Sequence, residues 1–178
     1  FIRERKLWEM GIENVHVNLS VVQCMQESLH EVLIQIMDEY ALNYKMIHLE
    51  MTESAAVASE ETLKSNMQKL IEKGISFALD DYGTGFSNTV TMMKYPFKLI
   101  KLDKSMVWSA SDSEKAMSLL KHTINMIKDM NMEIVAEGVE TAAQANMLAK
   151  MGCDYFQGYY YSRPVNSENF IKTLQEHN

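Results

Sequence analysis

The sequence predicts an α/β fold, an incomplete (β/α)8 barrel of the TIM type with about six βα units. Three observations carry it. Short β-like runs alternate strictly with longer stretches of helical spacing, the first run leads into VNLSVVQ with no glycine at all, and polar residues collect on one parity at the strand ends. Alternation alone fits either an open doubly wound sheet or a barrel. A glycine-rich turn after the first strand would favour the open sheet, so its absence, together with the polar parity, favours the barrel.

The strand candidates are NVHVNLS (14–20), MIHLEM (46–51), ISFALD (75–80), KLIKLD (98–103), MEIVAE (132–137) and DYFQGY (154–159). Leu29, Val32, Leu33, Ile36 and Tyr40 make one helical stripe between them. Leu63, Met67, Leu70 and Ile71 make a second, with Ser59 placed as N-cap and Gly74 as the left-handed stop. A third, Ala116, Leu119, Leu120, Thr123, Ile124 and Ile127, follows the serine-rich SASDSE. Thr141 and Gln144 have capping-box spacing for a helix ending near Gly152, and Ser167 precedes a last stripe of Phe170, Ile171 and Leu174. Most of the 15 methionines lie on these stripes, where they fill core.

With 47% apolar and 23% charged residues and no linker or repeat beyond the βα rhythm, the 178 residues read as one soluble globular domain. No apolar run approaches the roughly 18 to 20 residues of a membrane span, so no membrane contact is expected within this segment. The net charge of −7 argues against gripping a DNA or RNA polymer through a basic face, and a phosphate-bearing ligand would need help from a cation. Cys24 and Cys153 lack metal-ligand spacing and read as reduced thiols of a cytosolic domain.

In a barrel, alternate strand residues point inward, and chemistry collects where the inward set reaches the C-terminal strand ends. If Val15, Val17, Leu19, Ile47, Leu49, Met51, Phe77, Leu79, Ile100, Leu102, Ile134 and Ala136 face the helices, the opposite parity holds Asn18, His48, Glu50, Asp80, Lys101, Asp103, Glu133 and Glu137. Asp81 then lies just past its strand, and Tyr155 pairs in parity with Gln157. A parallel strand is buried on both faces and should read as a continuous apolar run, so these polar residues break the expected pattern.

Glu50, Asp80, Asp81 and Glu137 crowd one mouth, where several unpaired anions cannot all stay ionised; protons or cations must be bound there. Oxygen ligands with one amide suit Mg²⁺ or Mn²⁺ better than zinc. The structural alternative is a polar network in which Lys101 neutralises an acid. A third possibility is a Schiff-base aldolase built on Lys101, against which the surrounding acids argue by raising the lysine pKa. His16 and His48 are expected to be satisfied core histidines below the acids, and the five histidines show no spacing that would build a metal site. The glycines of DDYGTGFSN describe a mobile loop directly after two acids, able to close over substrate.

VNLS (17–20), LEMTES (49–54), ALDDYGTGFS (78–87), IKLDKSMV (100–107), VAEGVET (135–141) and GCDYFQGYYYSRPV (152–165) resemble, in order and spacing, the motifs of the EAL-type cyclic-di-GMP phosphodiesterases. The resemblance implies a modified (β/α)8 barrel that hydrolyses cyclic di-GMP to linear pGpG with one or two Mg²⁺ or Mn²⁺ ions. It implies Asn18, Glu50, Asp80 and Asp81 as metal ligands, Lys101 as the residue that positions or polarises the attacking water, and Glu137 as general base or a further ligand. Glu53 matches the glutamate that anchors the loop, whose substrate-facing residues are Gly83, Thr84, Gly85, Phe86 and Ser87. Gln157 would help order the metal site, with Glu140 and Asp103 in supporting places. The likeness further implies a cytoplasmic protein, or the cytoplasmic part of a membrane-anchored sensor, that dimerises with its own kind and sits behind sensory or cyclase domains. A noncatalytic member that binds cyclic di-GMP or a partner protein is the alternative.

Two departures stand out. DYGTGFSN replaces the family's usual DFGTGYSS, exchanging a hydroxyl between the aromatics and placing Asn88 for a serine. The Glu-Ala-Leu tripeptide itself, whose glutamate is a metal ligand in the family, is absent from the sequence. A (β/α)8 barrel takes about 250 residues, roughly 70 more than are present, so 1–178 is expected to be an N-terminally truncated phosphodiesterase domain with two open sheet edges and without normal turnover of its own.

Overall fold

The computed structural model describes residues 1–52, 60–84 and 89–177. Six parallel strands form one sheet in sequential order: β1 (Val15–Asn18), β2 (Ile47–Thr52), β3 (Ser76–Tyr82), β4 (Leu99–Leu102), β5 (Glu133–Ala136) and β6 (Tyr155–Phe156). A doubly wound sheet reverses its strand order at a switch point, and no reversal occurs here. With every crossover running the same way, the sheet curls into a half-barrel, the incomplete barrel that the alternation and parity predict. Among the described residues β1 pairs with β2 alone and β6 with β5 alone, which leaves two edges.

The helices are α1 (Val21–Cys24), α2 (Leu29–Glu39), α3 (Glu60–Lys73), α4 (Thr89–Lys94), α5 (Lys104–Asp112), α6 (Glu114–Asp129), α7 (Ala142–Met151) and α8 (Ser167–His177). Alternation of the strands separates two apolar clusters. Leu49, Met51, Phe77, Leu79, Ile100, Leu102, Ile134 and Ala136 join Leu63, Met67, Leu70, Leu120, Ile124, Ile127 and Leu148 of the helices in the large outer core. On the inner face Ala78, Leu99 and Val135 form a small separate cluster. That inner plug is the floor on which the polar residues of the same parity stand.

Several elements depart from the periodicity. On α2 the buried line runs through Leu29 and Met37, with Leu33 and Ile34 partly buried, while Val32, Ile36 and Tyr40 are exposed. Leu119 and Ile71 are likewise exposed beside otherwise buried stripes. Three short helices, α1, α4 and α5, were not expected, and two of them carry local signals. Ser20 and Gln23 form a complete capping box for α1, and the Asp103 carboxylate accepts the Ser105 N–H at the start of α5. Gly74, Thr141 with Gln144, and Gly152 act as helix stops and caps as their spacing predicts, whereas Ser59 lies outside the described residues. The last strand is two residues long, because after Phe156 the chain turns onto the β5 loop: Val139 N–H donates to Gln157 O and Tyr160 N–H to Val139 O. Only glycine fits at 158, where a Cβ would stand 2.1 Å from the Val139 carbonyl oxygen.

Cys24 and Cys153 are both buried in the outer core. Burial, reinforced by the neighbouring Asp154 carboxylate, pushes the Cys153 thiol up to about 12, and burial also raises Cys24. Neither thiolate is populated near neutrality. The native protein at pH 8 should therefore leave both cysteines unlabelled by iodoacetamide and expose both in denaturant; rapid native labelling of Cys153 would contradict the packing.

Candidate active site

Each strand delivers polar side chains to the C-terminal mouth of the half-barrel. Asn18 is the last residue of β1 and stands in register with Glu50 of β2; Thr52 pairs with Asp80 of β3. Lys101 lies in β4, and Glu137 and Gln157 immediately follow β5 and β6. Shared parity aims them at one place, and sequential strand order makes their neighbours in space neighbours in the chain's βα count.

Lys101, 5% exposed, sits at the centre. Its Nζ lies 3.0 Å from Glu50 Oε2, 2.9 Å from Asp80 Oδ1 and 2.8 Å from Glu137 Oε1. An ammonium has three protons, and each has a carboxylate acceptor here. Burial works against the charged lysine, but the hydrogen bonds to Glu137, Asp80 and Glu50 outweigh it and raise its pKa well above the ordinary value. A lysine so held is kept protonated, without a lone pair with which to attack a carbonyl, which argues against the aldolase alternative. Burial likewise opposes ionisation of Glu50, yet the contacts from His16 and Lys101 prevail and lower its pKa. Glu137 goes the other way: burial, with Asp80 and Glu50 adding to it, outweighs Lys101 and raises the carboxyl.

The two consecutive aspartates reach the same mouth through an irregularity in the β3–β4 ladder. Leu79 pairs with Ile100 and Tyr82 with Leu102, so Asp80 and Asp81 together oppose the single residue Lys101. This bulge extends the strand past its expected end at 80 and breaks the alternation that would send Asp81 outward. Asp81 takes the left-handed conformation at φ 57°, a cost of about 1 kcal/mol that a short polar side chain bears best. Its carbonyl accepts from both the Thr84 N–H and hydroxyl, closing a turn. Burial, then Asp80 and Asp103, raise the Asp81 carboxyl. One oxygen each from Asp80, Asp81 and Glu137 fall within 4.8 Å of one another. Such an all-oxygen, multiply anionic set fits a hard divalent cation.

His16 was expected to be a satisfied core residue; it is satisfied, with Nδ1 2.6 Å from Glu50 Oε1, but it is exposed rather than part of the core. His48, expected to be equally satisfied, stacks on His16 with ring centroids 4.9 Å apart, and its buried Nδ1 has no hydrogen-bond partner among the described residues. Burial, then the neighbouring His16, lowers the His48 pKa to about 4, so the ring is neutral at pH 7. Parity placed His16 on the inner face, and the β1–β2 register sets it one step diagonal from Glu50, within side-chain reach.

The remaining candidates divide. Gln157, Glu140 and Glu137 line one cavity of about 330 Å³ with Lys104, Trp108 and Tyr159. Asn18 is exposed at the rim. Asp103 is spent as the cap of α5, and Thr84 on the Asp81 carbonyl. Gly83 has φ 108°, and a Cβ there would meet Met106 Sδ at 2.3 Å. Glu53, Gly85, Phe86 and Ser87 lie outside the described residues.

A half-barrel with a carboxylate cluster at its C-terminal mouth defines a class, and the sequence supplies the family. The EAL domain model matches residues 2–164, and the chain belongs to that family. It is 30% identical over 98% of its length to the signaling protein YkoW of Bacillus subtilis, and 30% identical over 95% to the cyclic di-GMP phosphodiesterase PdeR of Escherichia coli. The solved PaMucR phosphodiesterase, in complex with cyclic di-GMP, superimposes with a TM-score of 0.83 at 28% identity, covering 94% of this chain and 69% of that one. The chain spans 22% of YkoW and 26% of PdeR. Among the described residues no helix is long and apolar enough to cross a membrane.

Removing one partner of a buried ion pair costs about 3 to 5 kcal/mol because the other is left uncompensated. Lys101→Met should therefore destabilise the protein, and the loss should grow with pH. Without the ammonium the burial that opposes ionisation of Glu50 and Glu137 goes unanswered, so their folded-state pKa values rise above the unfolded ones and folding is penalised increasingly from pH 5 to pH 8. Denaturant melts of both proteins at the two pH values measure it; an equal loss at both would contradict the electrostatic origin.

Proposed function

We propose that the domain hydrolyses one phosphodiester bond of cyclic di-GMP to give linear pGpG, with Mg²⁺ or Mn²⁺ as cofactor. The observation that carries this reading is the convergence of Asp80, Asp81 and Glu137 around Lys101 at the mouth of the half-barrel. The phosphodiesterase names of PdeR and PaMucR, and the cyclic di-GMP bound to the latter, support it.

Asn18, Glu50, Asp80 and Asp81 would hold one or two divalent ions, which supply charge stabilisation to attacking and leaving oxygens and lower the pKa of bound water. The chain's own groups do the rest. Glu137, its carboxyl raised chiefly by burial, takes the proton of the attacking water. Lys101 would position or polarise that water. Glu53 anchors the substrate loop of Gly83, Thr84, Gly85, Phe86 and Ser87, while Gln157, Glu140 and Asp103 support the rim. Cations also explain how a protein of net charge −7 accepts a dianionic substrate.

In this reading residues 1–178 are part of a phosphodiesterase domain whose remaining segment closes the barrel. The full protein would act in the cytoplasm, or on the cytoplasmic side of a membrane, as a homodimer with sensory or cyclase modules. MucR of Pseudomonas aeruginosa, a bifunctional diguanylate cyclase and cyclic di-GMP phosphodiesterase, is a precedent for such a combination.

Hydrolysis of cyclic di-GMP by the full-length protein with Mn²⁺ tests the proposal. Glu137→Ala should slow pGpG release by about 10²- to 10⁴-fold, the usual worth of a general base. Wild-type protein that binds cyclic di-GMP without turnover would favour the noncatalytic alternative, and a Glu137→Ala protein as fast as wild type would remove the base assignment.

A further inference from the structure

His16 and His48 face each other across the β1–β2 ladder, and Asn18 faces Glu50 two residues further along. On the inner face His16 therefore has His48 beside it and Glu50 on the diagonal. Both relations are realised, as a ring stack at 4.9 Å and as the 2.6 Å contact from Nδ1 to Glu50 Oε1. Glu50 Oε2 is held by Lys101, but that ammonium is shared with Asp80 and Glu137 and does not by itself fix how Glu50 is turned. The His16 contact belongs to Glu50 alone.

We infer that His16 is a positioning residue for the metal site: its Nδ1–H pins Glu50 Oε1, so that the carboxylate keeps its orientation toward the mouth when Lys101 shifts among its acceptors. The inference rests on the metal-dependent reading of Glu50. A carboxylate has about four lone-pair positions, and one fixed donor on Oε1 leaves the others to serve a cation. Glu50, 4% exposed as a residue, gains no comparable restraint from solvent. His48 backs the His16 ring on the side of the stack. Partners that orient a metal ligand through a hydrogen bond typically change metal affinity about 10- to 100-fold when removed.

Two substitutions separate the hydrogen bond from the packing. His16→Phe keeps a ring against His48 and removes the donor; His16→Asn keeps a donor at the Nδ1 position and removes the ring. Mn²⁺ titrated calorimetrically into the full-length protein should bind His16→Phe about 10- to 100-fold more weakly than wild type, with His16→Asn recovering most of the affinity. Should His16→Phe not fold, His16→Val takes its place as the donor-free variant. Wild-type affinity in the donor-free variant, or an Asn variant as weak as it, would overturn the inference. Failure of wild type itself to bind Mn²⁺ would overturn the metal-dependent function first, and this inference with it.

Discussion

One ammonium, that of Lys101, meets carboxylates from the strands on both sides of it and from the strand beyond. A parallel sheet covered by helices leaves little water on its inner face, so acids brought there need a counter-charge. Lys101 supplies it to Glu50, Asp80 and Glu137, with all three of its protons accepted. Asp81, raised by burial and by Asp80, marks the anionic excess that remains. Three carboxylates bonded to one lysine, with Asp81 beside them, form an anionic set whose mutual repulsion a divalent cation would relieve.

The same alternation that builds this cluster also keeps it on the opposite face of the sheet from the main apolar core. Outward residues such as Leu49, Phe77, Ile100 and Ile134 pack with the helices in one core, while the inner face carries only the plug of Ala78, Leu99 and Val135 beneath the acids. At the mouth the β3 bulge carries strain, where two residues oppose one and Asp81 adopts a left-handed backbone. The bulge costs ladder regularity and gains a second adjacent carboxylate at the mouth. Restraint around it comes from short-range contacts, among them the Thr84 turn, the Asp103 cap and the His16 bond to Glu50.

Much of this was legible in the sequence because a period of two assigns every strand residue to a face. The parity of Glu50, Asp80, Lys101 and Glu137 against Leu49, Leu79, Ile100 and Ala136 placed both the outer core and the acid cluster before any coordinates. What alternation cannot express is its own interruption, and so the β3 strand was expected to end at Asp80. Cross-strand register was equally out of reach: parity put His16 inside but not beside Glu50. Helix faces with mixed apolar residues misled at Val32 and Ile36, where hydrophobicity exceeds what the core admits. The short α1 and α5 were hidden by length, although their caps, Ser20 with Gln23 and Asp103, were written locally.

The balance around Lys101 is tested most directly by anomalous diffraction from crystals of the full-length protein grown with Mn²⁺. A cation-completed site predicts an anomalous peak against carboxylate oxygens of Asp80 and Asp81, with Lys101 parted from at least one of its present acceptors. The absence of a peak at saturating Mn²⁺, with Lys101 still bonded to Glu50, Asp80 and Glu137, would contradict it.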